Sequence, residues 1–143
     1  MMGLFGKKKP KLQNYSVHSN GRWNINLDTD ASDQANMKAY IHPRVPDFRV
    51  QQSLSAVASL HPTADAVIVK VDGKKVGTLP SYWQAGGREL IRRAIELNAG
   101  MLLVGCLFEW NLKAGPFQPI LALGHSANAN TVTILPADQV EFR

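Results

Sequence analysis

The segment Asp65-Ala-Val-Ile-Val-Lys-Val-Asp-Gly-Lys-Lys-Val-Gly-Thr-Leu79 leaves the chain few choices of fold. Val67, Ile68, Val69 and Val71 are β-branched, a shape that loses rotamer freedom in a helix and packs well on a pleated sheet. The Asp72-Gly73 pair that follows favours the positive φ angles of a two-residue hairpin turn, and Lys75 to Leu79 returns as the second strand. An isolated hairpin is marginal in water, so the rest of the chain must supply strands or a helix to cover it.

Several segments offer that cover. Tyr15, Val17, Trp23, Ile25 and Leu27 alternate with polar residues around Asn20-Gly21, which predicts a first hairpin over Gln13 to Leu27. Asp28 to Asn36 is rich in side chains that bond their own backbone and reads as a loop. Lys38 to Ile41 reads as a short strand ended by His42-Pro43 and Pro46, and Gln51 to Leu60 as helical through Leu54, Val57 and Ala58. Pro80 and Ser81 open a helix whose apolar stripe is Leu90, Ile91, Ala94, Ile95 and Leu97, closed by Asn98-Ala99-Gly100. Strands follow near Met101 to Leu112, Gln118 to Leu123 and Thr131 to Leu135. The expected fold is α+β: a small antiparallel, partly open β-barrel of six or seven strands capped by one main helix, with Val67 and Ile95 in its core.

The chain has 143 residues, 45% of them hydrophobic, enough for one core, and we expect one globular domain over residues 13–143 after a basic arm at 1–12. Lysine and arginine number 16 against 11 acids, but Lys7, Lys8, Lys9 and Lys11 lie in the arm, which leaves 12 against 11 elsewhere. Cys106 is the single cysteine, so an intramolecular disulfide is excluded and a reducing, cytoplasmic setting is expected. The longest apolar run, Met101 to Phe108, is too short to span a bilayer and no secretory leader opens the sequence, so membrane insertion is not expected.

Catalysis needs a nucleophile with its base, two positioned carboxylates or a metal, and no such signature is present. His18, His42, His61 and His125 lack metal-ligand spacing, Cys106 sits in an apolar strand, and Asp28, Asp30 and Asp33 read as turn formers without the glycine and distal glutamate of a calcium loop. The expectation is a non-enzymatic domain with no metal and no small-molecule cofactor. The constellation that stands out is basic: Lys70, Lys74, Lys75, Arg88, Arg92 and Arg93 against Asp72 and Glu89. A shared hairpin-helix face would hold phosphates, with Tyr82 or Trp83 stacking on a base. The structural alternative is that Tyr82 and Trp83 staple the helix start to the core while Glu89 pairs with Arg93.

The stretch from Asp65 to Pro80, with its Ala-Val strand, Gly turn, Val76-Gly77-Thr78-Leu79 strand and following helix, resembles the second half of HIRAN domains over about residues 60–100. The sequence His61-Pro62-Thr63-Ala64-Asp65 departs from the family's Asn-Pro-Tyr-Asp-x-Asn, and Thr78 stands where an aromatic or histidine is common. The resemblance implies a small barrel-like domain that, in DNA-remodelling enzymes, recognises DNA ends or stalled forks. Two functions follow as expectations: a module binding nucleic acid, as single strands or DNA ends, or a protein-interaction or assembly module, including a homo-oligomer.

Overall fold

The computed structural model describes residues 12–18, 25–111, 116–123 and 133–137. Eight strands and two α-helices are arranged as β1 (Tyr15–His18), β2 (Ile25–Asn26), α1 (Ala31–Ile41), β3 (Ser53–Pro62), β4 (Val67–Val71), β5 (Lys74–Thr78), α2 (Gln84–Glu96), β6 (Leu102–Glu109), β7 (Gln118–Leu121) and β8 (Thr133–Pro136). Short 3-10 turns at His42–Arg44 and Ser81–Trp83 adjoin the helices. The sheet runs β2-β7-β6-β3-β4-β5, with β1 parallel to the start of β6 and antiparallel to β8. Its two ends meet through one bridge, in which Asp28 and Thr78 exchange N–H···O bonds of 2.9 Å. The result is the expected small, strongly curled, partly open barrel of the α+β class, with two α-helices among the described residues where one main helix was expected.

The hairpin that constrains the chain forms as expected. Asp72 and Gly73 both take positive φ, 54° and 79°, the backbone signature that brings β4 straight back as β5. Val67, Val69 and Val71 point into the core while Ile68 and Lys70 face outward. Gly77 lets the barrel close, since a Cβ there would lie 2.8 Å from Leu27 Cβ and 3.1 Å from Asp28 O.

Three expectations from the N-terminal half are corrected. First, β1 and β2 do not pair with each other: β1 joins β6 and β8, and β2 joins β7, while Asn20-Gly21 lies outside the described residues. Second, the loop at 28–36 and the strand at 38–41 are replaced by α1. Asp30 caps it, accepting from Asp33 N at 2.8 Å, and the Asp33 carboxylate accepts from Asp30 N at 3.0 Å, a reciprocal box that satisfies two otherwise orphaned donors. Third, Gln51 to Leu60 is not helical but forms β3, which pairs with β6 from Ser53 to Ser59 and with β4 from Ala58 to Pro62.

The helices close the barrel's ends. Along α1, Met37 and Ile41 are buried one turn apart, Asn36 donates to Lys75 O and Gln34 to Phe117 O, so the helix ties β5 to the start of β7. The Asp33 carboxylate, itself buried, receives Lys75 Nζ at 2.8 and 2.9 Å. On α2 the buried face is Gly86, Gly87, Leu90 and Ala94, following the buried Trp83. Gly87 packs so closely on Leu79 that a Cβ would collide with its Cδ1. Gln84 seals this end by accepting from Val67 N at 2.8 Å and donating to Leu79 O at 2.7 Å. Ile95, expected in the core, is 69% exposed, because it lies on the opposite side of α2 from Leu90 and Ala94.

Two predictions follow from this packing. Val67→Asp places an unpaired charge at a fully buried site and is expected to abolish the cooperative unfolding transition, whereas Ile95→Asp is expected to shift stability by less than about 0.5 kcal/mol, both read by thermal denaturation. Burial alone would lower the Lys75 pKa, but the hydrogen bonds and charges of Asp33 and Asp30 outweigh it and raise the value above 10.5. Lys75→Met is therefore expected to cost about 2 kcal/mol at neutral pH by stranding the buried Asp33 carboxylate. A raised folded pKa stabilises fully below the unfolded value and is lost as pH climbs through the folded one. Melting temperatures at pH 7 and pH 11 should thus show the gap between wild type and variant narrowing in alkali.

Candidate nucleic-acid interface

The eight side chains expected to make one basic face are separated by their environments. Arg92 lies between two carboxylates of its own helix, with Nη2 2.5 Å from Glu89 Oε2 and Nη1 2.8 Å from Glu96 Oε2. These are the i,i+3 and i,i+4 spacings at which helix side chains meet. The pairing raises the Arg92 pKa, chiefly through its hydrogen bonds with Glu89, and holds the Glu89 carboxyl below its ordinary value. Arg93 also approaches Glu89, at 3.6 Å, the pairing anticipated from the sequence. Arg88 donates to Thr63 O at 3.2 Å, and Lys75 is committed to Asp33 and Asp30. Trp83 is fully buried and staples the start of α2 to the core, so it has no face open to a base; Tyr82 beside it is 57% exposed.

Two of the expected cations, Lys70 and Lys74, have no hydrogen-bond or ion-pair partner among the described residues. Lys70 projects from the outer face of β4 directly across from Ser59 of β3, and Lys74 is exposed just past the hairpin turn. Lys70 lines a groove that the sequence reading missed. The groove has a volume of about 470 Å³ and is lined by the apolar Val57, Met101 and Leu103 together with Lys70, Asp72, Tyr40 and Arg44. Lys74 lines a smaller adjoining hollow of about 180 Å³ that shares Tyr40, Arg44 and Asp72. The Arg44 guanidinium lies 3.9 Å from the centroid of the Tyr40 ring and donates to Tyr40 O at 2.8 Å, two contacts that anchor it beside the groove. Tyr40 is fixed in turn by an edge-on contact with Phe108, 5.7 Å between centroids.

The wall beyond Lys70 carries Ser59 and His61, whose Oγ and Nε2 are 2.7 Å apart. Partial burial, and next the positive charge of Lys70, lower the His61 pKa from its ordinary value. The signal that would have revealed this groove is tertiary: Tyr40 and Arg44 lie 26 or more positions before Lys70, and nothing local links them. Among the described residues no three of His, Cys, Asp and Glu come together in a way that would hold a metal ion.

Cys106 faces the core from β6, and burial pushes its thiol up to about 12. Among the described residues no helix is long and apolar enough to cross a membrane. No family model, no curated protein and no solved structure matches this chain.

With its thiol protonated and enclosed, Cys106 is expected to resist a disulfide reagent such as dithionitrobenzoate at pH 8 in the native protein, and to release one equivalent per chain in denaturant. Rapid native reaction would mean that β6 opens readily.

Proposed function

We propose that this protein is a non-catalytic, HIRAN-like module that binds single-stranded nucleic acid in the groove between β3, β4 and the end of α1. The observation that carries the reading is the pair of unneutralised lysines, Lys70 and Lys74, beside the Arg44 guanidinium 3.9 Å from the Tyr40 ring centroid and the apolar side chains of Val57, Met101 and Leu103. Such a groove suits a strand whose phosphates meet ammonium groups while an unpaired base lies on the Arg44 guanidinium or the apolar side chains. Asp72 is the one carboxylate lining the groove and sits at the hairpin turn. The resemblance supports the same surface, since both lysines belong to the strand-turn-strand segment that carries it. The proposed binding face thus shrinks from the expected hairpin-helix surface to the hairpin side: Lys70 and Lys74 stay in it, Arg44 joins it, and Arg92 leaves it. The four lysines of residues 1–12 add sequence-independent attraction.

Fluorescence anisotropy of a labelled single strand with a free 3′ end tests this. Deleting residues 1–12 is expected to weaken binding without abolishing it, with affinity falling steeply as salt rises. Reversing Lys70 and Lys74 together to Glu should cost at least about tenfold in Kd while leaving the melting temperature nearly unchanged, because exposed charges contribute little to stability. Arg92→Ala should change Kd by less than about threefold, since its charge is already met by Glu89 and Glu96. Binding that disappears with the arm, or ignores the double reversal, overturns the proposal.

A further inference from the structure

We propose that the first half of β3, from Ser53 to Val57, accepts an extended acidic peptide as an added strand. The inference does not depend on the nucleic-acid reading, although both place an anionic chain near Arg44. It starts from a mismatch in length: β3 has ten residues and β4 has five. The β4 ladder stops at Ala58, opposite Val71, whereas the β6 ladder continues back to Ser53, opposite Glu109. Among the described residues no strand pairs with the other edge of Ser53 to Val57.

The hydrogen bond from Trp110 N to Gln52 O, 3.1 Å, turns the backbone of residue 52 toward β6. Backbone groups in an antiparallel strand face alternate sides, so those of Ser53 and Ser55 face away from β6, toward the unpaired edge. Ser53 O accepts from the Gln51 side chain at 2.9 Å, a bond that an exposed amide gives up readily to an incoming strand.

Exposed edges in soluble proteins are usually blunted by charge, proline, a bulge or an inward lysine. The sequence Ser53-Leu-Ser-Ala-Val57 carries none of these. The irregularity in this part of the sheet lies instead in the β4–β5 pairing between Val69 and Lys70. The side chains suit an added strand. Ser53, Ser55 and Val57 are small and exposed on the outer face, while Leu54 and Ala56 pack half-buried against the core. Five residues span roughly 17 Å, enough to fix an extended peptide by its main chain.

Charge selects the partner. Where β4 stops, the edge runs into the groove that holds Arg44 and Lys70, with Lys74 next to it and Asp72 the only carboxylate lining either hollow. The same cations on a second copy's edge would oppose them, whereas a peptide with carboxylates is drawn in.

The test uses the full chain, labelled with ¹⁵N, and a blocked seven-residue probe alternating glutamate and valine, with a twin N-methylated at every second residue. The unmethylated probe is expected to shift the amides of Ser53, Ser55 and Val57 and slow their exchange at least tenfold. The twin, with the same charge and side chains but half the main-chain donors, should bind at least tenfold more weakly. Ser55→Pro removes an edge N–H while sparing the β6 ladder and should abolish binding with the melting temperature held within a few degrees; if that variant unfolds, the methylated twin still decides. Arg44→Glu should weaken the probe as well. Equal binding of the two probes, shifts confined to other strands, no binding at all, or shifts that follow protein concentration without probe, which would put a second copy on this edge, each overturns the proposal.

Discussion

The ion pair between Lys75 and Asp33 is the joint on which the rest of the barrel hangs. Asp33 is 1% exposed, closes the capping box of α1 with Asp30, and receives the ammonium of β5 at 2.8 Å. A carboxylate so deeply placed is tolerable only with a charge partner and hydrogen-bond donors around it, and here it has both. Because α1 is fixed to β5 at that point, Asn36 reaches Lys75 O, Met37 and Ile41 enter the core, and the helix end carries Tyr40 and Arg44 to the hairpin turn. The bridge from Asp28 to Thr78 lies three positions before the start of α1 and draws the outer strands of the sheet together. Closure of the barrel and assembly of the groove thus rest on the same few residues.

Where the sequence was legible, local and tertiary preferences agreed. The Asp72-Gly73 hairpin has its turn chemistry, its β-branched strand and its buried alternation all pointing one way, and α2 has a strong apolar periodicity opened by Pro80 and closed by Asn98 at φ 55°. Where it was misread, the signal was present but weak. In β3 Leu54 and Ala56 pack against the core while Ser53, Ser55 and Val57 are exposed, a period of two that is masked by a small alanine inside and a valine outside and that ends where Ala58, Ser59 and Leu60 are all buried. Helix α1 hides for a different reason: with so few large apolar residues it has almost no stripe, and its start is marked by Asp30 and Asp33, an aspartate pair where a glutamate at the third position is the commoner sign. The alternation around Asn20-Gly21 was real at Val17 and Ile25, both buried, yet each strand found a longer or better-buried partner elsewhere in the sheet.

The candidate site was legible in its lysines but not in its location. Counting charges along the sequence treats Arg88, Arg92 and Arg93 as equal to Lys70 and Lys74, yet secondary structure decides which of them stay available. A helix brings residues three and four apart together, so Glu89 and Glu96 consume the charge of Arg92 within α2. A strand does the reverse: its outward neighbours come from adjacent strands, and across from Lys70 stands Ser59 rather than an acid. The same sheet geometry produces the groove. Because β4 is half the length of β3, the wall ends early at the hairpin turn, and the end of α1 fills the inner side of that gap with Tyr40 against Phe108 while leaving the outer side concave. A longer β4 would continue the ladder along Ser53 to Val57 and cover both the groove and the free edge. The unequal lengths of two neighbouring strands are therefore the structural origin of both surfaces on which function is proposed, and they follow from where a single Asp-Gly pair turns the chain.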